Sequence, residues 1–213
     1  MRRILVINPN TSESCTRGIA ESLRSFSAPA APPFQVVSLP GGPPAIASWR
    51  DWYSVAEPLC RMVEAEPANA YIIACVSDPG LEAVRSATRR PVFGPFRCAV
   101  AAALARAENF GVIAFVEASK ARQRRALQSM GAEGRLAASI ALNLPMETLT
   151  DPAAARGVIC DTARRLAAEG AGAVILGCAG MAGHRAAAED AAGVPVIEPC
   201  QAAAAQAILA TVA

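Results

Sequence analysis

Two cysteines in the sequence each follow a short apolar run and open a turn of small residues. Cys75 comes after Tyr71-Ile-Ile-Ala and Cys178 after Ala173-Val-Ile-Leu-Gly, about half the chain length further on. A fold that brings the two turns together would place two thiols around one small molecule. A thiolate could then take a proton from one face of a carbon while the opposite thiol gives a proton to the other face. The pair therefore predicts a racemase or epimerase that needs no cofactor.

The expected position of both thiols suits this chemistry. Open parallel sheets bind ligands beyond the carboxyl ends of their strands. A helix N-terminus just downstream would lower a thiol's pKa from about 8.5 toward neutrality, and its N–H groups could bind a carboxylate or an enolate. The alternative is an ordinary buried cysteine, which we favour for the cysteines in or near predicted helices. These are Cys15, Cys60, Cys98, Cys160 and Cys200.

Alternating patterns along the chain predict the elements that position these turns. Short apolar runs alternate with longer amphipathic or alanine-rich segments, which is typical of α/β proteins with parallel sheets. Strands are predicted at residues 3–7, 35–39, 71–76, 91–93, 111–116, 137–142, 173–176 and 194–197. Helices are predicted at residues 14–26, 49–66, 79–88, 97–107, 119–130, 152–169, 181–192 and 201–212. A division near Pro95 puts four strands in each half, with the cysteine at the third.

Local signals mark several boundaries. Asp151 followed by Pro152 fits an N-cap with proline at the first helical position, and Ser119 is predicted to cap the helix it begins. Asp78-Pro79 repeats the Asp-Pro pattern directly after Cys75. The glycine- and proline-rich stretch 40–44 predicts a surface loop.

Charge and apolar content exclude several classes of function. A net charge of +2, from 20 basic and 18 acidic residues, gives no strong field for nucleic acid or an anionic membrane. The densest basic run, residues 120–125, is predicted to be a solvated helix face. No apolar run is long enough to cross a bilayer, and the N-terminus looks like a buried strand rather than a secretory signal. We expect a cytoplasmic protein.

Cysteine, histidine and lysine usage narrows the chemistry further. The seven cysteines are an odd number, so we expect reduced thiols rather than a disulfide framework. Because there is no C-x-x-C and His184 is the only histidine, we expect no metal site. Lys120 is the only lysine and lies in the arginine-rich run, a poor setting for a Schiff base.

The same residues resemble the aspartate/glutamate/hydantoin racemase superfamily, most closely its hydantoin and allantoin racemase branch. The resemblance is carried by Arg3-Ile-Leu-Val-Ile-Asn-Pro-Asn-Thr-Ser12, by Ala74-Cys75 with Asp78-Pro-Gly-Leu81, and by Leu176-Gly-Cys-Ala-Gly-Met181. It covers essentially the whole chain.

The resemblance implies two pseudo-symmetric flavodoxin-like lobes, each a four-stranded, mainly parallel sheet flanked by helices. We assign residues 1–95 with 199–213 to lobe 1 and residues 96–198 to lobe 2, with the active site in the cleft between them. It further implies that Cys75 and Cys178 act as acid and base without a cofactor, and that the protein forms a homo-oligomer. Asn10, Thr11 and Ser12 would contact the carbonyl or carboxylate side of a small-molecule substrate.

The sequence departs from the hydantoin and allantoin racemase branch at residues expected around the pocket, so the resemblance does not identify the substrate. Val76-Ser77 stands where Phe-Gly is usual, and Ala114-Phe115 replaces Thr-Thr. With Ala179 and Gly180 beside the second cysteine, these residues are predicted to contact the substrate. Arg97 could pair with a substrate carboxylate or lie on the surface.

Three alternatives remain open at this level. A decarboxylase or a cis-trans isomerase could use the same scaffold, as in the related arylmalonate decarboxylase and maleate isomerase, and a small-ligand sensor could keep the pocket without catalysis. His184 could approach the site from the side, or it could be a solvated or dimer-contact residue.

Overall fold

The computed structural model describes residues 3–26 and 31–212 and contains two four-stranded sheets with the same topology. In the first, β1 (Ile4–Asn8), β2 (Phe34–Ser38), β3 (Ala70–Ile73) and β4 (Val92–Phe93) lie in the order β2-β1-β3-β4. In the second, β5 (Phe110–Ala114), β6 (Leu136–Ala141), β7 (Ala173–Gly177) and β8 (Val196–Ile197) lie in the order β6-β5-β7-β8. Every strand pair is parallel. The predicted α/β fold with two similar sheets is confirmed.

Helices flank both sheets. They are α1 (Glu13–Ser22), α2 (Trp49–Ser54), α3 (Ala56–Ala65), α4 (Leu81–Ala87), α5 (Pro95–Leu104), α6 (Glu117–Ser129), α7 (Met146–Thr150), α8 (Pro152–Ala168), α9 (Arg185–Ala192) and α10 (Pro199–Val212). Three short 3₁₀ turns complete the regular structure, at Arg24–Phe26, Glu133–Arg135 and Ala179–His184. None of the helices in the described ranges is long and apolar enough to cross a membrane.

Three predicted helices differ from the structure, and one was not predicted. The helix expected at 14–26 ends at Ser22, and a 3₁₀ turn follows at Arg24–Phe26. The helix expected at 49–66 is divided at Val55, because Pro58 lacks the N–H that would bond to the carbonyl of Ser54. The helix expected at 181–192 begins instead with a 3₁₀ turn, and α9 follows from Arg185. The five-residue helix α7 is too short to show a periodic pattern in the sequence.

Alternation along the central strands divides the core into three parts. Ile4 and Val6 of β1 face a cluster that also contains Val112 of β5, so this part of the core is shared by both sheets. Leu5 packs on the opposite face of the first sheet, and Ile113 does so in the second. Central strands buried on both faces explain the continuous apolar runs in the sequence.

Two helices cross between the sheets. α5 follows β4 of the first sheet but packs on β5, β7 and β8 of the second, while α10 follows β8 and packs mainly on β3 and β4 of the first. The two helices also pack against each other, and their small alanine side chains allow a close approach. The division of the chain into 1–95 with 199–213 and 96–198 stays a prediction.

An aspartate near the first cysteine connects the first sheet to α5, the helix that packs on the second sheet. The Asp78 carboxylate accepts hydrogen bonds from the backbone N–H groups of Phe96 (2.9 Å) and Arg97 (3.1 Å), at the start of α5. The expectation that Asp78-Pro79 caps the next helix is therefore wrong, because α4 begins after Gly80, whose φ is +66°. The Asp151 cap of α8 is confirmed by two backbone N–H donors. The prediction that Ser119 begins and caps its helix is wrong, because α6 starts at Glu117; from inside the first turn the Ser119 Oγ accepts from the N–H of Val116.

Candidate active site

A cavity of about 30 Å³ lies where the two sheets meet, at the carboxyl ends of β3 and β7. Both Cys75 and Cys178 line it, each partly buried. Five other residues predicted to contact the substrate also line it, namely Asn10, Val76, Ser77, Phe115 and Ala179. The predicted contacts Thr11, Ser12, Ala114 and Gly180 are not among the described lining residues. The fold therefore brings the two cysteine turns to one cavity.

Each cysteine is placed by the strand before it. β3 ends at Ile73, and Cys75 follows in a turn where its Sγ lies 3.6 Å from the Oγ of Ser77. β7 ends at Gly177, where an added Cβ would lie 2.3 Å from the carbonyl oxygen of Ile113. Only glycine permits this approach of β7 to β5 just before Cys178.

Burial governs the ionisation of both thiols. Burial raises the pKa of Cys75, against the Ser77 hydrogen bond and the positive charge of Arg122, which both favour the thiolate. Burial raises the pKa of Cys178 well above its ordinary value, and proximity to Cys15 adds to this. The expected lowering of both pKa values toward neutrality is wrong, because desolvation outweighs the nearby donors and α4 begins six residues beyond Cys75. Cys75 is the easier thiol to ionise.

The turn after β1 presents one amide group to the cavity. The Oδ1 of Asn10 accepts hydrogen bonds from the Nδ2 of Asn8 and the N–H of Ser12, both at 2.9 Å. The Nδ2 of Asn10 is the donor side of this amide, and the hydrogen bond between Asn10 and the Cys15 thiol opposes the effect of burial on the pKa of Cys15. Ser12 caps α1 by accepting from the N–H of Cys15, and the N–H of Thr11 donates to the carbonyl of Pro43. These two residues hold the turn and the neighbouring loop.

Other lining residues were not predicted, and one is charged. They are Cys15, Ile46, Ala74, Ser119, Arg122, Met146 and Gly177. Burial raises the pKa of Cys15 to about 12, so this third thiol stays protonated. The interpretation of residues 120–125 as a wholly solvated face is wrong, because Arg122 is only 2% exposed.

The signal for Arg122 was present in the sequence. The buried residues of α6 are Ser119, Arg122, Gln123, Ala126 and Leu127, which recur at helical spacing on one face. Extending the apolar face of Ala126 and Leu127 back by one turn reaches Arg122 and Gln123.

Gln123 joins the two cysteine turns directly. Its Nε2 donates to the carbonyl of Val76 at 3.0 Å and to the carbonyl of Gly177 at 3.3 Å. Val76 follows Cys75, and Gly177 precedes Cys178. One buried side-chain amide thus fixes both turns relative to each other.

Two residues considered from the sequence lie outside the cavity. The Nη2 of Arg97 is 2.6 Å from the Oε1 of Glu82, and its Nε is 3.7 Å from the Oδ2 of Asp78, so it pairs with carboxylates of its own chain. His184 is 2% exposed, which contradicts the solvated alternative. Burial lowers the pKa of His184, so its ring is neutral.

A family model described as Asp/Glu/Hydantoin racemase matches residues 4–207. The chain belongs to the Asp/Glu/hydantoin racemase family. Hydantoin racemase from Paenarthrobacter aurescens is 33% identical over 94% of this chain and 87% of its own. Hydantoin racemase from Pseudomonas sp. (strain NS671) is 35% identical over 92% of this chain and 80% of its own.

Solved structures agree with this family assignment. Allantoin racemase from Klebsiella pneumoniae superposes with a TM-score of 0.89 and 31% identity, covering 97% of this chain and 86% of that one. Like these relatives, this protein is an isomerase of the racemase type.

Proposed function

We propose that the protein inverts a carbon next to a carbonyl, as in a hydantoin, by acid/base catalysis with Cys75 and Cys178. The observation that carries this proposal is that both thiols line one cavity from equivalent turns of two similar sheets. The two thiols can carry both proton transfers, so the mechanism requires no cofactor.

The proton balance follows from the different surroundings of the thiols. Arg122 and Ser77 favour the thiolate at Cys75, whereas Cys178 stays protonated. The Cys75 thiolate takes the proton from the carbon, and the electron pair of the C–H bond moves into an enolate. Cys178 then gives its proton to the opposite face and becomes the thiolate. The enzyme is left ready for the reverse reaction, and Asn10 can donate to the enolate oxygen through Nδ2.

Deuterium exchange tests the reaction. A single enantiomer of a 5-monosubstituted hydantoin, incubated with the protein in deuterated water, should lose both its C5 proton signal and its optical rotation. No deuterium uptake across a panel of hydantoins, amino acids and 2-substituted dicarboxylates would count against the proposal.

Cysteine variants test the two-thiol mechanism. Cys75→Ser and Cys178→Ser should each abolish racemisation, because a hydroxyl is a much weaker acid than a thiol. Cys60→Ser is the matched control, since Cys60 lies in α3 and does not line the cavity. Unchanged turnover in either of the first two variants would rule out thiol catalysis.

The presence of two cavity thiols on opposite turns favours racemisation over the alternatives that share this scaffold. A decarboxylase needs only one thiol to protonate the product, and carbon dioxide release would identify it. Tight binding without proton exchange would instead identify a ligand sensor.

Assembly and location stay predictions from the sequence. We propose a cytoplasmic homo-oligomer. Light scattering coupled to size-exclusion chromatography would measure its mass.

A further inference from the structure

Arg122 is a buried cation whose hydrogen bonds all go to neutral groups. Its Nη2 donates to the carbonyl of Ile46 at 3.1 Å and to the Oγ of Ser119 at 3.4 Å, and its Nη1 donates to the carbonyl of Ala47 at 3.3 Å. Its Nε, also buried, has no hydrogen-bond partner within the described part of the chain. The guanidinium is thus held in place by its ends while one donor remains free.

No acidic side chain neutralises this guanidinium. Among the described residues, the ion pairs do not include Arg122. Asp51 influences Arg122 only at longer range, because its carboxylate binds the N–H groups of Ala47 and Ser48 in the cap of α2. The other charge that acts on Arg122 is the Cys75 thiolate, which is lost when that thiol takes a proton. A buried guanidinium without a counter-charge is unfavourable, so a ligand that carries its own negative charge would stabilise Arg122.

Arg122 lines two cavities, and this indicates where such a ligand would bind. Arg122 and Ser77 line both the 30 Å³ cavity with the two cysteines and a neighbouring cavity of about 440 Å³. The small cavity has room for about two water molecules. A substrate with its reacting carbon between the cysteines would therefore extend its substituent past Arg122 into the larger space.

We propose that Arg122 binds a carboxylate on the substrate's substituent and makes the enzyme selective for acidic substrates over neutral ones of the same shape. The proposal rests on the proposed function, since it takes the reacting carbon to lie between the two cysteines. Nε is the donor from which such a carboxylate would accept, because Nη2 already donates to Ile46 and Ser119.

The probes are a matched pair of hydantoins. One carries a 2-carboxyethyl group at C5 and the other a 2-carbamoylethyl group, which has nearly the same shape without the charge. Calorimetric titration of the wild-type protein should show tighter binding of the carboxylate by roughly tenfold to a hundredfold, the usual gain for a hydrogen bond to a charged group. Equal affinity for the two probes would overturn the proposal.

Variants of α6 separate charge recognition from a structural role. Arg122→Met should remove the preference and leave the affinity for the amide nearly unchanged, while Arg122→Lys should restore part of it. Arg124→Met is the matched control, because Arg124 is exposed on the same helix, pairs with Glu133 and lines neither of these two cavities. If Arg122→Met weakened both probes equally while its circular dichroism matched wild type, Arg122 would have only a structural role.

The outcomes also distinguish this proposal from the racemase proposal. Selective binding of the carboxylate, with no exchange of the C5 proton of either probe in deuterated water, would refute racemisation and support Arg122. Exchange of both probes without any charge preference would refute the role of Arg122 and support racemisation.

Discussion

At the scale of single residues, the two thiols share a cavity but not an environment. The pKa of both is raised by burial, yet only Cys75 has a cation and a hydroxyl that favour its thiolate. The asymmetry makes Cys75 the easier of the two thiols to ionise. It also assigns Arg122 a second effect besides the proposed carboxylate contact.

The ionisation of Cys75 should depend on Arg122. Because the guanidinium stabilises the thiolate, Arg122→Met should raise the pKa of Cys75 further and move the alkaline rise of its reactivity to higher pH. The rate of alkylation by iodoacetamide, followed against pH by mass spectrometry of the Cys75 peptide, measures this shift. Cys60 in the same samples is the internal control, and an identical Cys75 profile in both proteins would contradict the prediction.

Part of this site could be predicted from the residue types and their order in the sequence. The apolar runs and small-residue turns were sufficient to place Cys75 and Cys178 at strand ends. A run of basic residues suggests a solvated helix face and so conceals Arg122, although its helical spacing from Ala126 and Leu127 puts it on the buried face. Its cavity contact and the raised thiol pKa values depend on the packing of distant segments, which the local sequence does not specify.

At the scale of elements, α6 and the start of α5 hold the two cysteine turns. Gln123 of α6 bonds to one carbonyl in each turn. Asp78, three residues beyond Cys75, caps α5. These contacts cross from one sheet to the other, so they were not predictable from local patterns such as Asp-Pro. The eight strands were predictable, because alternation and apolar content are local properties.

Loss of the Gln123 amide should affect both stability and catalysis. Gln123→Leu keeps the side-chain size but leaves two buried carbonyls without that donor, which should cost about 1–3 kcal/mol of unfolding free energy. We also expect a lower kcat with little change in the KM of a neutral hydantoin, because the turns are less well positioned. Gln128→Leu, at an exposed position of α6, is the control. Equal changes in unfolding free energy and in kcat for the two variants would show that the Gln123 hydrogen bonds contribute to neither.

The hydrogen bonds from the start of α5 to Asp78 should contribute more to the unfolding free energy than those of an exposed cap. Asp78→Ala removes the acceptor of two backbone N–H groups from a carboxylate that is 2% exposed. We expect a loss of about 2–3 kcal/mol, against about 1 kcal/mol for Asp151→Ala, whose cap is exposed to water. Urea denaturation of the two variants measures the difference. A smaller loss at Asp78 than at Asp151 would contradict this ranking.

At the scale of the whole molecule, the two sheets share one part of their core. The helices α5 and α10 each pack mainly on the sheet that does not precede them in the chain. Neither sheet can lose its contacts without exposing apolar surface of the other. We therefore expect a single cooperative unfolding transition.

The two tryptophans make this cooperativity measurable. Trp49 and Trp52 both lie in α2, where Trp52 packs on the core of the first sheet and Arg122 and Arg125 of α6 lie 6.0 Å from the two rings. Their fluorescence therefore reports on the first half and its contact with α6, whereas far-ultraviolet circular dichroism reports on all helices. The two signals should give the same denaturation midpoint. Separate midpoints would show that the halves unfold independently.

The exchange of α5 and α10 also bears on how such a chain could have arisen by duplication. A single half, with four strands and a trailing helix, would send that helix away from its own sheet and leave an apolar face bare. Two copies could cover each other's faces by swapping their trailing helices. An ancestral half-length gene would then have encoded an obligate dimer with one thiol per subunit, and fusion would have turned a two-fold axis into the present pair of unequal cysteines.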